Sequence, residues 1–148
     1  MPRPASAAPP AAIPAAAPSG SAAAALIAAA RLILPILEQG RPVQTAALRV
    51  AMESAFGGSD ADGAWDWKAA YDAGEAAQVL FFRKYGSAIF RKAASAQLRL
   101  AMIEKVAGLL PTHTRRSQTG QAMQQFSTPA GLAFVVACAA SVQSGDLV

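Results

Sequence analysis

Residues 64–85 read AWDWKAAYDAGEAAQVLFFRKY, and this stretch decides the fold class. Trp65, Ala69, Ala73, Ala76 and Leu80 recur at helical spacing, and Trp67 and Tyr71 form a neighbouring pair one turn apart. Aromatic side chains near basic ones can stack bases. At this spacing, on an alanine-rich helix, they are more often core. The predicted helix runs from about 64 to 85, with Gly86 as its stop.

Working outward, a first helix is expected from a Ser21 N-cap to about Gln39, with Gly40 ending it and Pro35 kinking or dividing it. Thr45 is placed to cap a second helix over 46–56, where Leu48, Met52 and Phe56 follow one face and Gly57–Gly58 close it. The loop GGSDADG at 57–63 carries Asp60 and Asp62, with Asp66 just beyond. It lacks the ligand series of an EF-hand, so turn and cap chemistry accounts for it, with Asp62 positioned to cap the next helix. A fourth helix is predicted over 88–109, ending before Pro111, and would place Arg91 and Arg99 on one face two turns apart. A last helix is expected over 129–143, with Pro129 at its first position and Thr128 as its cap.

The expected architecture is therefore all-α with about five helices. Residues 1–20, rich in proline and alanine, read as a disordered leader. Residues 21–110 form the helical subdomain, 111–128 a basic linker with the QQFSTP segment, and 129–148 a helix followed by the start of a strand at Leu147–Val148. No other strand pattern occurs, so that strand reads as truncated, with its partners lying downstream.

Alanine dominates the 53% hydrophobic content, so the core must rest on few large side chains and the chain is expected to be marginally stable alone. Its net charge of +4 is unevenly distributed: residues 83–116 hold eight basic groups against Glu104 alone. Such a segment suits a phosphate backbone or an acidic partner, although solvated helix faces carry similar rows. Arg91, Lys92, Arg99, Arg115 and Arg116 are the candidate nucleic-acid contacts. The single Cys138 precludes an internal disulfide and is expected to be a buried, inert thiol. One histidine, His113, cannot build a multi-histidine metal site. No Walker loop, complete dinucleotide fingerprint or catalytic triad is present, so no catalytic residue is assigned. The apolar stretches at 22–37, interrupted by Arg31 and Pro35, and at 131–142 read as non-membrane, and a cytoplasmic location is expected.

The segment Gln125-Phe126-Ser127-Thr128-Pro129, followed by Gly145-Asp146-Leu147-Val148, resembles the entry into the cofactor domain of bacterial adenine-specific DNA methyltransferases. The wider run LRVAMESAFGGSDADGAWDWKAAYDAGEAAQVLFFRKYG at 48–86, with LLPTHTRRS and QQFSTP, resembles the N-terminal region of bacterial strawberry notch-like proteins. The resemblance spans roughly residues 24–148, and AFGGSDADGAWDWK at 55–68 and THTRRSQTGQAMQQFSTP at 112–129 are its most specific parts. It implies a methyltransferase-type domain and a superfamily II helicase domain downstream in the same chain. It further implies that Phe126 covers S-adenosylmethionine, that Ser127 and Thr128 supply hydroxyl or amide contacts, and that Pro129 belongs to the same wall. ATP would enter only through the helicase domain. The cofactor glycine loop, the Asn/Asp-Pro-Pro-Tyr/Phe motif and the helicase phosphate loop do not occur in these residues, so the segment alone is expected to be inactive. Two other readings start from the residues themselves: a stand-alone helical DNA-binding module of a mobile element, and a helical protein-interaction domain.

Overall fold

A computed structural model describes residues 20–111 and 128–142. Among these residues the protein is all-α, with helices α1 (Gly20–Glu38), α2 (Thr45–Phe56), α3 (Trp67–Lys92), α4 (Ala96–Ala107) and α5 (Ala130–Ala139), and no strand. The expected leader and the expected strand start at Leu147–Val148 fall outside the described residues, except that Gly20 opens α1.

The core lies where α1 packs along α3 and α2 closes one side. Its largest fully buried side chains are Ile33, Leu37, Leu48 and Met52, and between them sit Ala29, Ala30, Ala70, Ala73 and Ala77, all without exposure. Alanines at these positions let the α1 and α3 backbones approach closely. The aromatic cluster is core, as its spacing implied: Trp65 is buried, and Trp67 and Tyr71 pack against the same cluster. By length and composition α1 is also apolar enough to cross a membrane. Here, however, one face of it supplies the centre of the bundle.

Local chemistry explains the boundaries. Pro35 lies inside an uninterrupted α1 instead of dividing it. Pro35 removes the amide that would serve the Arg31 carbonyl, but both residues are exposed while Ile33 and Leu37 hold the buried face, so packing carries the helix past the proline. Ser21 belongs to the first helical turn and is not the cap, because the helix starts one residue earlier. Gly40, at φ 65°, ends the helix as expected: its amide donates to the Leu37 carbonyl and the Arg41 amide to that of Ile36. At α2 the cap position is Gln44, without a side-chain cap bond, and Thr45 is the first helical residue.

The acidic loop folds around the tryptophans. Trp65 Nε1 donates to the Gly58 carbonyl at 2.9 Å and Trp67 Nε1 to Asp60 Oδ2 at 3.0 Å. The Arg49 guanidinium lies 5.4 Å from the Trp67 ring centroid and 3.7 Å from the Asp60 carboxylate. Asp62 accepts from the Ser59 hydroxyl at 2.6 Å, so it does not cap α3. Asp66 takes that role, accepting from the Ala69 amide at 2.7 Å.

The largest departure concerns the third and fourth helices. α3 continues through Gly86 to Lys92, and a new helix begins at Ala96. A single glycine costs a helix only about 1 kcal/mol, which flanking packing such as Phe81 on Tyr85 (4.9 Å between centroids) and buried Ile89 offsets. The actual break is the extended residue Ala93, followed by Ser95, whose hydroxyl accepts from the Leu98 amide and caps α4.

Glu38, at the end of α1, accepts from Lys84 Nζ at 2.7 Å and from the Tyr85 hydroxyl at 3.1 Å, tying α1 to α3. The Lys84 hydrogen bond holds the Glu38 carboxyl below its ordinary range and raises Lys84 in return. A depressed carboxylate adds stability above its unfolded pKa and loses it as pH falls through the folded one. Urea denaturation across the acid range is therefore expected to show a slightly shallower loss of stability for Glu38→Gln than for wild type. Identical slopes would mean that the pair contributes nothing, as exposed pairs often do.

Candidate functional site: the α3–α5 groove and the basic α3–α4 corner

The C-terminal half of α3 leaves the core and carries the α4–α5 pair. α5 lies on α4 at close range: a Cβ placed on Gly131 would stand 3.3 Å from Leu100 Cδ1 and 3.3 Å from Glu104 Cγ. Phe134 of α5 meets Phe90 of α3 edge to face at 6.1 Å. The end of α4 is fastened back to the core by the Val43 amide, which donates to the Leu109 carbonyl at 2.7 Å.

Between α3 and the start of α5 runs a groove of ≈ 660 Å³, within the size range of small-molecule sites. Tyr71, Gln78, Val79 and Phe82 form its α3 wall, and Leu110, Pro129 and Ala133 face them. Gln78 is only 9% exposed, and its Nε2 has no hydrogen-bond partner among the described residues. It escaped sequence reading, although a signal existed. Ala70, Ala73, Gly74 and Ala77 form the buried stripe of α3, and Gln78 is the polar residue that interrupts it.

Of the expected cofactor wall, Phe126 and Ser127 lie outside the described residues, while Thr128 and Pro129 are exposed and line the groove. Thr128 does not cap α5; Pro129 holds the cap position with an extended backbone (φ −53°, ψ 138°), and there is no side-chain cap bond.

The expected basic row is rearranged by the helix break. Arg91 and Lys92 are exposed on the last turn of α3, where cations also favour the helix C-terminus. Arg99 belongs to the first turn of α4 and shares no helical face with Arg91. Its Nε donates to the Ala93 carbonyl at 3.1 Å and its guanidinium stacks 4.5 Å from the Phe90 ring centroid, so it braces the corner between the two helices. Arg115 and Arg116 lie outside the described residues.

Cys138 is exposed, contrary to the expectation of a buried thiol. The reason is that α5, though almost wholly apolar, buries none of its residues; Leu132, Val135 and Val136 all face outward. Among the described residues no His, Cys, Asp and Glu side chains group to hold a metal ion. Asp60, Asp62 and Asp66 are engaged in the loop and cap bonds given above. The chain matches no protein-family model, no curated protein and no solved structure.

Proposed function

We propose that this chain is a helical support module of a strawberry notch-like DNA-modifying protein, which docks the S-adenosylmethionine domain of the same cytoplasmic polypeptide and touches DNA. The observation that carries this reading is α5: ten residues, AGLAFVVACA, with no buried member and with Leu132, Val135 and Val136 exposed. An apolar helix seated at the edge of a bundle suits a second surface laid over it. The resemblance of QQFSTP to a methyltransferase entry segment supplies the identity of that surface. In this reading Phe126, Ser127, Thr128 and Pro129 complete one wall of the cofactor site once the sheet is in place. The helicase domain, with its ATP, lies further along the chain.

Calorimetry tests the docking. The 148-residue chain is expected to bind S-adenosylmethionine poorly or not at all, whereas a polypeptide continued through the downstream sheet binds it. Phe126→Ala with Thr128→Ala weakens that binding, and Val135→Asp with Val136→Asp loosens the domain contact. Unchanged affinity in both double variants would refute the reading.

A second reading, a stand-alone DNA-binding module, draws on exposed Arg91 and Lys92 at the α3–α4 corner. It predicts salt-sensitive duplex binding by this chain alone. Removing each phosphate-contacting cation lowers the slope of log affinity on log salt by about 0.9. Binding unaffected when Arg91, Lys92, Arg99, Arg115 and Arg116 all become Ala eliminates it.

A further inference from the structure

We infer that the exposed side of α3 that carries Arg83, Phe90 and Arg91, with Arg99 beside it, binds a single strand of nucleic acid and stacks a base on Phe90. The inference rests on the reading that this corner touches DNA, and it names the form of nucleic acid. Two observations carry it together. The first is charge. Arg83, Ser87 and Arg91 recur every four residues along α3 and are all exposed. Arg83 and Arg91 form no ion pair among the described residues, and no Asp or Glu occurs in the sequence between Glu75 and Glu104. Lys84 differs, since Glu38 holds it against α1. Uncompensated cations along one side of a helix fit a chain of phosphates.

The second observation is the ring that lies in this row. Phe90 falls seven residues after Arg83, so it shares that side of the helix, and it is 49% exposed. The Arg99 guanidinium stacks 4.5 Å from its centroid, its Nε tied to the Ala93 carbonyl at 3.1 Å, and Phe134 meets the ring edge to face. Ring and guanidinium are thus held in place by the fold, and nearly half of Phe90 stays open. A base from a single strand has a free π-face to lay on such a platform, and the cation adds to the attraction. A duplex offers no free face, because its bases already stack on one another, and its phosphates gain nothing from a phenyl ring. An anionic membrane would take Phe90 into its apolar layer, but Arg99 would be carried in with it at the cost of burying a charge. The pairing of Phe90 with Arg99 therefore favours the unpaired strand.

Fluorescence anisotropy of the full chain with a labelled oligothymidine of about 12 nucleotides, a footprint usual for small single-strand binders, tests the assignment. Matched probes are the same backbone without bases, a duplex of equal length, and vesicles of phosphatidylserine and phosphatidylcholine. The oligothymidine is expected to bind at least about fivefold more tightly than the abasic strand, the least that one stacked base supplies. It is also expected to bind more tightly than the duplex. Phe90→Leu keeps the apolar bulk but loses the aromatic face. It should bring the oligothymidine down to the abasic affinity and leave the abasic affinity unchanged. Arg83→Ala and Arg91→Ala should each lower the slope of log affinity on log salt by about 0.7, whereas Arg31→Ala, exposed on α1, should not. Equal affinity of the wild-type chain for the strands with and without bases overturns the stacking assignment without any variant. Tighter binding of the duplex overturns it too, yet leaves the DNA-touching reading intact, and no binding of any nucleic acid at low salt defeats both. Binding to the vesicles alone would assign the surface to lipid instead.

Discussion

Leu48→Ala is expected to lower the unfolding free energy by about 3 kcal/mol, within the ~2–5 kcal/mol range of buried leucine truncations. Leu48 has no exposed surface and is one of the four large side chains fully buried in the core, with Ile33, Leu37 and Met52. It occupies the place where α2 meets α3: its Cδ2 would stand 3.8 Å from a Cβ built on Gly74. Leu48 also lines the α3–α5 groove, and its truncation should widen that space. Urea denaturation followed by circular dichroism measures the loss. A decrease below about 1 kcal/mol would show that α2 does not seat on α3 as described.

Ala73→Leu tests the opposite failure. Ala73 is completely buried in the cluster that joins α1 and α3, along with Ala29, Ala30, Ala70 and Ala77. A leucine there must push the helices apart or adopt a strained rotamer, at a cost of about 1–3 kcal/mol. Because this interface is the most extensive among the described helices, the expected loss lies at the upper end of that range. Ala76→Leu, three residues along the same helix at a half-buried position, serves as the control and should be far milder. Equal effects from the two would contradict the assigned face of α3. The pair also asks whether alanine is filler here or a requirement of helix approach.

Much of the fold was legible in local chemistry. Helical periodicity marked the second and third helices, cap and stop residues with apolar content marked the others, Gly40 and Gly57 stopped two of them, and the Trp65–Trp67–Tyr71 spacing placed those rings in the core. Failures arose where a local signal competed with packing. Gly86 and Pro35 looked like breaks, yet each lies within a helix whose buried residues continue past it. Conversely, the corner at Ala93–Ser95 carries no glycine or proline; Ser95 was the readable cap and was passed over. That misplaced boundary put Arg91 and Arg99 on one helix, and the structure separates them.

The candidate site was less legible. Four apolar neighbours on α3 and one glutamine among them suggest a buried stripe, but only the seating of α5 across from it creates a groove. Cys138 shows the same limit, since an apolar run reads as core until its neighbours are known to lie on one side only.

Residue spacing, cap residues and turn glycines alone determined that this protein is helical and roughly where its helices lie, because those preferences act within one or two turns of chain. Which apolar faces close on one another, which basic groups stay exposed and where Gln78 is stranded were decided by tertiary structure. These depend on contacts between residues far apart in the chain, and burial is a property of the assembled surface, with no fixed value for any residue in isolation.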